Sequence, residues 1–104
     1  MAFKEAQKAV DKWISQYKLG YFKPLENLAR LIEEVGEVAR ELNHRFGPKK
    51  KKKTESENDL GEELADVIYT VICLANSLHI DLDEAFKKVM AKLNSRDKDR
   101  WEKK

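Results

Sequence analysis

The chain lacks several features that define whole classes of proteins. Its 104 residues include one cysteine, Cys73, so it has neither an internal disulfide nor a CxxC zinc pair. Cys73 stands in the apolar run VICLA, where a packed thiol is the expected outcome. The segment MAFKEAQKAV has no apolar stretch typical of a signal peptide, and no apolar run reaches the length of a membrane span. We therefore expect a single cytoplasmic domain over residues 1–104 that does not enter a membrane.

A strong charge of one sign is also missing. The 21 basic and 19 acidic residues leave a net charge of +2, so the composition does not indicate a nucleic-acid-binding protein. Lys49–Lys53 forms a local basic run, but no aromatic residue interrupts it, and we expect a solvated loop there. Glycine-rich phosphate loops and GxSxG and HExxH motifs are absent from the sequence as well. The familiar signatures of P-loop enzymes, serine hydrolases and zinc proteases are thus excluded.

What the sequence does contain is helical periodicity, and no segment has the pattern of a strand. Pro24 suits the first turn of a helix, and Gly47 ends the same helix. Asp59 and Asp81 are each followed three residues later by glutamate, the capping-box spacing that opens a helix. We predict an all-α, four-helix protomer with a lysine-rich loop over 45–58 and helices over about 2–17, 24–44, 60–78 and 82–94 or beyond.

Apolar stripes predict which faces of these helices pack. Helix three is apolar around most of its circumference, which is typical of a buried helix. Helix one carries its apolar residues on one side, and helix four does the same. On helix two, the predicted packing face is the stripe of Leu28, Leu31, Ile32, Val35, Ala39 and Leu42.

Helices two and three also carry closely spaced acidic residues. Glu34 and Glu37 are three residues apart and share one side of helix two, and Glu63 and Asp66 do the same on helix three. If the two helices pack antiparallel, the four carboxylates converge. Mg²⁺ prefers hard oxygen ligands and retains positions for substrate phosphates. The spacing therefore favours a metal site that acts on a phosphoanhydride bond.

A structural alternative remains open for the same acids. Those of helix two fit a solvated face, because Glu37 lies nearly opposite the apolar stripe. Those of helix three border an apolar helix, where carboxylates are costly unless they are paired or bound to metal. Arg30 and Arg40 are the available partners that would explain these acids without a metal.

Helix four has a row of cations along one flank. Lys88, Lys92, Arg96 and Arg100 follow at four-residue steps. Such a row suits polyphosphate oxygens, since lysine supplies a point charge and arginine a planar fork. An ordinary solvated flank is the competing interpretation.

Aromatic residues cluster around the first turn. Trp13, Tyr17 and Phe22 stand near the end of helix one and in the segment that follows. Aromatic rings of this kind usually pack in a core, and their clustering also offers a wall on which a nucleobase can stack.

The acidic segments EEVGE (33–37) and EELAD (62–66) resemble the paired EExxE and ExxD motifs of the all-alpha NTP pyrophosphohydrolases, in particular MazG-like proteins. The stretch LGYFKPLENLARLIEEVGEVARELN and the ending SRDKDRW look like the short, single-domain YpjD type. Either motif alone is common among acidic helices. Both together, on consecutive helices and in this order, are specific, and the resemblance covers nearly the whole chain.

The resemblance implies a helical bundle that forms a dimer or a tetramer. It implies Mg²⁺, with Mn²⁺ as a substitute, and catalytic roles for Glu34 and for Glu33, the latter supporting a metal-bound water. The implied metal ligands are Glu34, Glu37, Glu63 and Asp66. The implied phosphate contacts on helix four are Lys92 and Arg96, with Lys88 and Asn94 as further candidates.

The expected reaction is hydrolysis of a nucleoside triphosphate, ribo or deoxy, to the monophosphate and pyrophosphate, as in clearing a nucleotide pool. Phosphoribosyl-ATP pyrophosphohydrolase is an enzymatic alternative, because its family shares the fold and the acidic pattern. A helical interaction module, whose acids and lysines only solubilise its surface, is a non-enzymatic alternative.

Overall fold

The structure, a computed structural model, describes residues 3–48 and 59–104, so Lys49–Lys53 lies outside the described residues. It contains four helices and, within the described ranges, no strand. The predicted all-α, four-helix fold is therefore confirmed. The helices are α1 (Phe3–Ile14), α2 (Pro24–Phe46), α3 (Leu60–Ser77) and α4 (Leu82–Arg96).

The predicted helix starts carry the expected caps. The Asp59 carboxylate accepts hydrogen bonds from the backbone N–H groups of Gly61 (2.7 Å) and Glu62 (3.3 Å), and Asp81 caps α4 in the same way. At α2, Pro24 occupies the first turn and the Glu26 carboxylate accepts a bond from the Lys23 N–H at 2.9 Å. These contacts satisfy backbone donors that would otherwise lack partners at a helix start.

The first helix is shorter than expected and the second is longer. After Ile14 the backbone tightens into three-residue turns, with the Tyr17 N–H bonded to the Ile14 carbonyl at 3.1 Å. The chain then reverses through Gly20, whose φ of 66° is a conformation that favours glycine. Helix α2 continues to Phe46, where the Gly47 N–H closes the last turn on the Asn43 carbonyl at 2.9 Å.

Helices α2 and α3 form the main packed pair, α1 packs on α3, and α4 packs on α1. The pair is antiparallel: the charge of Arg30, early in α2, acts on Cys73 late in α3, whereas Glu41 acts on Glu63 near the start of α3. Among the described residues, the few buried apolar side chains are on α3, at Ile72, Cys73 and Ala75. Cys73 is thus a packed thiol, as predicted.

The predicted packing face of α2 is wrong. The inward stripe is polar at several positions, and Ile32 and Val35 of the predicted stripe are 64% and 50% exposed. The helix is rotated relative to the expectation, so that polar side chains lie where leucines were expected. The residues that face inward are Asn27, Leu31, Glu34, Val38, Glu41 and His44.

Helix α3 is apolar on more sides than a single chain covers. Leu64 and Ile68 remain about half exposed, at 49% and 52%. Helix α4 shows the same feature, because Val89 and Leu93 of its predicted packing face are exposed. No single described helix is long and apolar enough to span a membrane; only the α3–α4 pair, bent by 110°, meets that criterion by length and composition.

A side-chain amide joins α1 to the turn between α3 and α4. The Gln7 amide nitrogen donates to Asn76 Oδ1 and to the Ile80 carbonyl, both at 2.8 Å, and its oxygen accepts from the Leu82 N–H at 3.0 Å. Asn76 in turn donates to the Tyr21 hydroxyl at 2.9 Å. This network fixes the direction in which α4 leaves α3.

We expect Gln7→Ala to lower the free energy of unfolding by about 1–3 kcal/mol, because it leaves three hydrogen-bonding groups without their partner. Gln16→Ala is the matched control, since within residues 3–48 and 59–104 the Gln16 amide bonds only to the nearby Trp13 carbonyl. It should change stability by less than about 0.5 kcal/mol. Urea unfolding measures both. Equal effects of the two substitutions would contradict a bridging role for Gln7.

Candidate active site

Three carboxylates meet where α2 packs against α3. One oxygen each from Glu34, Glu63 and Asp66 lies within 4.8 Å of the other two, and we call these three residues the acidic cluster. Glu34 comes from the inward stripe of α2, and Glu63 and Asp66 come from the first turns of α3. The antiparallel packing thus brings together three of the four predicted metal ligands.

Glu63 is the electrostatic centre of this cluster. Partial burial raises the pKa of Glu63, and the negative charges of Asp66, Glu37, Glu34 and Glu41 raise it further. All the charges that raise this pKa are acidic and lie on α2 and α3. Concentrated negative charge with oxygen ligands is the environment that a divalent cation relieves. The donor set therefore fits Mg²⁺ or Mn²⁺.

The other two predicted acids of α2 lie at the edge of the site. Glu37 is exposed and does not belong to the acidic cluster, although its charge acts on Glu63. Glu33 is also exposed, and its carboxylate lies 3.7 Å from the Arg30 guanidinium. The charge of Glu37 thus reaches the cluster, whereas Glu33 is paired with Arg30 beside it.

Arg30 pairs with Glu34 of the cluster, on its own helix, and not with the α3 carboxylates that the structural alternative gave it as partners. Its guanidinium donates to Glu34 at 3.2 Å, and the Glu34 side chain is 15% exposed. This ion pair offsets part of the negative charge on Glu34. The ion pair does not involve Glu63 and Asp66, and the charge of Asp66 still raises the pKa of Glu63. Pairing with Arg30 therefore does not account for the whole cluster.

Sequence reasoning missed the importance of Glu41. Its side chain is 3% exposed, it accepts a hydrogen bond from Arg45 Nε at 3.1 Å, and its charge acts on Glu63. Glu34 and Glu41 are seven residues apart, two helical turns, and so they lie on one face. That seven-residue spacing is the feature of the sequence that indicates a shared inward face. The prediction instead placed the neighbouring apolar stripe of α2 inward.

A cavity of about 320 Å³ is lined by residues of the turn between α1 and α2, of α2 and of α3. Arg30, which contacts Glu34 of the acidic cluster, is one of these lining residues. Of the predicted aromatic wall, Tyr17 and Phe22 line the cavity, and Trp13 contacts Tyr17 edge-on with ring centroids 5.3 Å apart. The volume is at the lower end of the range for small-molecule sites. Lining residues that the sequence did not suggest include Tyr69, Thr70, Cys73 and the buried Asn27.

The predicted phosphate contacts on α4 are not brought to the cluster within one chain. Lys88, Lys92, Asn94 and Arg96 are all exposed, and Arg96 pairs with Asp97 at 3.6 Å. Helix α4 packs on α1, whereas the cluster lies between α2 and α3. Of the cations that the structure describes, Arg30 both contacts the cluster and lines the cavity.

Comparison with known proteins gives consistent similarities over the whole chain. Residues 22–101 match the family model described as the MazG nucleotide pyrophosphohydrolase domain. YpjD of Bacillus subtilis (strain 168) is 55% identical over 101 residues, which is 97% of this chain and 91% of that protein. YvdC of the same organism is 29% identical over 96 residues, covering 83% of this chain and 91% of that protein.

Solved structures agree with the sequence relatives. The crystal structure of YPJD from Bacillus subtilis, provisionally described as a pyrophosphatase, has a TM-score of 0.82 and 52% identity, covering 91% of this chain and 97% of that one. The crystal structure of the Bacillus-conserved MazG protein, a nucleotide pyrophosphohydrolase, has a TM-score of 0.79 and 49% identity, covering 95% and 96%.

We predict that Glu63→Gln raises the melting temperature of the metal-free protein, because it removes one of the repelling charges while keeping the shape of the side chain. The same substitution should weaken Mn²⁺ binding at least about tenfold, since a direct ligand should matter no less than an outer-shell partner. Calorimetry and thermal melts measure the two effects. Glu62→Gln, a neighbouring exposed glutamate, is the control, and equal behaviour of both variants would refute the assignment.

Proposed function

Because the chain belongs to the MazG nucleotide pyrophosphohydrolase family, we propose that its reaction is the Mg²⁺-dependent hydrolysis of a nucleoside or deoxynucleoside triphosphate to the monophosphate and pyrophosphate. The observation that supports this proposal best is the acidic cluster, three carboxylates within 4.8 Å at a helix interface. The family membership makes the chain an enzyme and removes the interaction-module alternative. A cytoplasmic location, with free nucleotides as substrates, accompanies this proposal.

Each acid has a proposed role that follows from its position. Glu34, Glu63 and Asp66 would hold the divalent cation, and Glu37 and Glu33 would position its water from the edge of the cluster. Such a cation neutralises charge on phosphate oxygens and lowers the pKa of a bound water, with Mn²⁺ as a chemical substitute for Mg²⁺. The carboxylates of Glu37 and Glu33, which position the water, would also accept its proton.

The cavity is the proposed position of the base. Tyr17 and Phe22 present rings on which a base can stack, and Trp13 supports Tyr17 from the side. The triphosphate would then run from the cavity past Arg30 toward the cluster. Contacts from helix four to its far end remain a proposal for Lys92 and Arg96, with Lys88 and Asn94 as further candidates.

Product identity tests the reaction. We expect incubation with NTPs and dNTPs in Mg²⁺ to give monophosphate and pyrophosphate as the first products, resolved by ion-exchange chromatography. Glu63→Gln should be inactive, and Glu62→Gln should retain activity. Diphosphate and orthophosphate as first products would reject the proposal. Phosphoribosyl-ATP belongs in the substrate panel, because preferential turnover of it would establish the enzymatic alternative.

We also propose that the chain works as a symmetric homo-oligomer, a dimer or a dimer of dimers. The support is the apolar surface that one chain leaves uncovered: Leu28, Ile32 and Val35 on α2, with Leu64 and Ile68 on α3. Val35 and Leu64 directly follow Glu34 and Glu63 of the acidic cluster in the sequence. Exposed apolar surface on this scale is typical of an interaction site.

Light scattering should therefore give a mass that is two or four times the 12.1 kDa of one chain. Ile32→Glu should shift the protein toward smaller species, because it places a charge on the uncovered surface, whereas Ile32→Val should leave the assembly intact. A stable wild-type monomer at micromolar concentration would overturn this proposal without affecting the proposed reaction.

A further inference from the structure

Arg30 occupies a position that none of the roles above uses. It lies one turn before Glu34 on α2 and contacts Glu34 at 3.2 Å and Glu33 at 3.7 Å. Its side chain is about half exposed and lines the cavity. Its charge also acts on the groups of that cavity, since it lowers the pKa of Cys73 and Tyr69 against the larger raising effect of burial. One guanidinium is thus shared between the cluster and the cavity.

The pairing between Arg30 and Glu34 competes with metal binding. A carboxylate oxygen that accepts a charge-assisted hydrogen bond is a poorer ligand for a cation, because both partners draw on the same negative charge. When Glu34 turns to a cation, Arg30 keeps the exposed Glu33 as its partner among the described residues. Pairs between exposed side chains are weak. Such a guanidinium is available to another anion nearby.

We propose that Arg30 exchanges partners during catalysis: it neutralises Glu34 while the acidic cluster holds no metal, and it binds a phosphate oxygen of the nucleotide once Glu34 ligates a divalent cation. This inference rests on the proposed function, and it assigns Arg30 as a substrate-binding residue. Metal and phosphate then bind cooperatively, since each makes the other's site available.

The phosphate, not the base, is the partner that the geometry points to. Arg30 lies between the aromatic cavity and the carboxylates, where the first phosphate passes if the base stacks on Tyr17 and Phe22. A guanidinium presents a planar fork that matches two phosphate oxygens. Phosphate oxygens also remain well solvated beside a half-exposed side chain such as that of Arg30.

Two binding measurements with opposite expected signs test the proposal. The first is calorimetric titration with Mn²⁺ alone, in which Arg30→Gln should bind up to about fivefold more tightly than wild type, because a surface-pair competitor is removed. The second is titration with the Mg²⁺ complex of inorganic tripolyphosphate, a probe without a base. Here Arg30→Gln should bind about tenfold or more weakly, since one charge-assisted bond is lost.

Two further variants interpret these results. Lys103→Gln removes one positive charge that also faces a carboxylate, Asp99 at 3.5 Å, and should change neither affinity. Arg30→Lys keeps the charge without the fork, so it should bind Mn²⁺ like wild type and tripolyphosphate with an intermediate affinity.

Unchanged or weaker Mn²⁺ binding in Arg30→Gln would overturn the exchange, because Arg30 would then be neutral to the metal site or a support for it. Weaker binding of a free nucleoside, with tripolyphosphate affinity unchanged, would overturn the assignment to phosphate. If Arg30→Gln gives either of these contrary results while the wild-type protein binds Mn²⁺ and releases pyrophosphate, only the exchange is refuted and the proposed function stands. A wild type that does neither would fail the proposed function itself.

Discussion

The structure depends on the contact between a polar face of α2 and the start of α3. Glu34 and Glu41 face inward, toward Glu63, although a leucine-rich stripe is available on the same helix. Placing several carboxylates at a helix interface costs free energy unless their charge is offset. The ion pairs from Arg30 and Arg45 offset part of it. A divalent cation would offset the negative charge that these ion pairs leave. The stability of this interface and the chemistry of the site therefore depend on the same carboxylates.

The same arrangement determines the outer surface. Because the inward face of α2 is used for acids, the apolar stripe of that helix is turned outward, and the neighbouring surface of α3 is apolar too. One chain therefore has a polar site inside and apolar surface outside, the reverse of an ordinary helical protein. The proposed assembly of several chains would resolve this inversion. In such an assembly the bundle core would lie between chains, while each chain would retain its own acidic cluster.

Sequence reasoning predicted the parts of the fold that depend on local chemistry. The helix starts at Asp59 and Asp81 follow from side-chain caps, and these are properties of a few adjacent residues. The packing faces could not be obtained in the same way. Periodicity identifies an apolar stripe, but it does not say whether residues of the same chain or of another chain pack against it. The stripe around Ile32 was predicted to pack within its own chain, where it is exposed.

The candidate site shows the same division. Glu34, Glu63 and Asp66 were predicted to converge because their spacing and the pairing of two acidic helices are readable, and the structure places them together. The dual contact of Arg30 and the cavity behind it required three dimensions, since Arg30 on α2 and Tyr69 on α3 join the predicted aromatic residues from other segments of the chain. Residues gathered from distant segments leave no periodic signal in a sequence.

The position of Glu63 has a consequence for how the site opens. Glu63 belongs to the first turn of α3, which begins at the Asp59 cap and closes with the Glu63 N–H bonded to the Asp59 carbonyl at 3.1 Å. Helix ends open more readily than helix centres, and a terminal turn unwinds at a small free-energy cost. If Glu63 holds a cation as proposed, that cation would also stabilise this turn. Amide hydrogen exchange at the start of α3 would then report the occupancy of the proposed site.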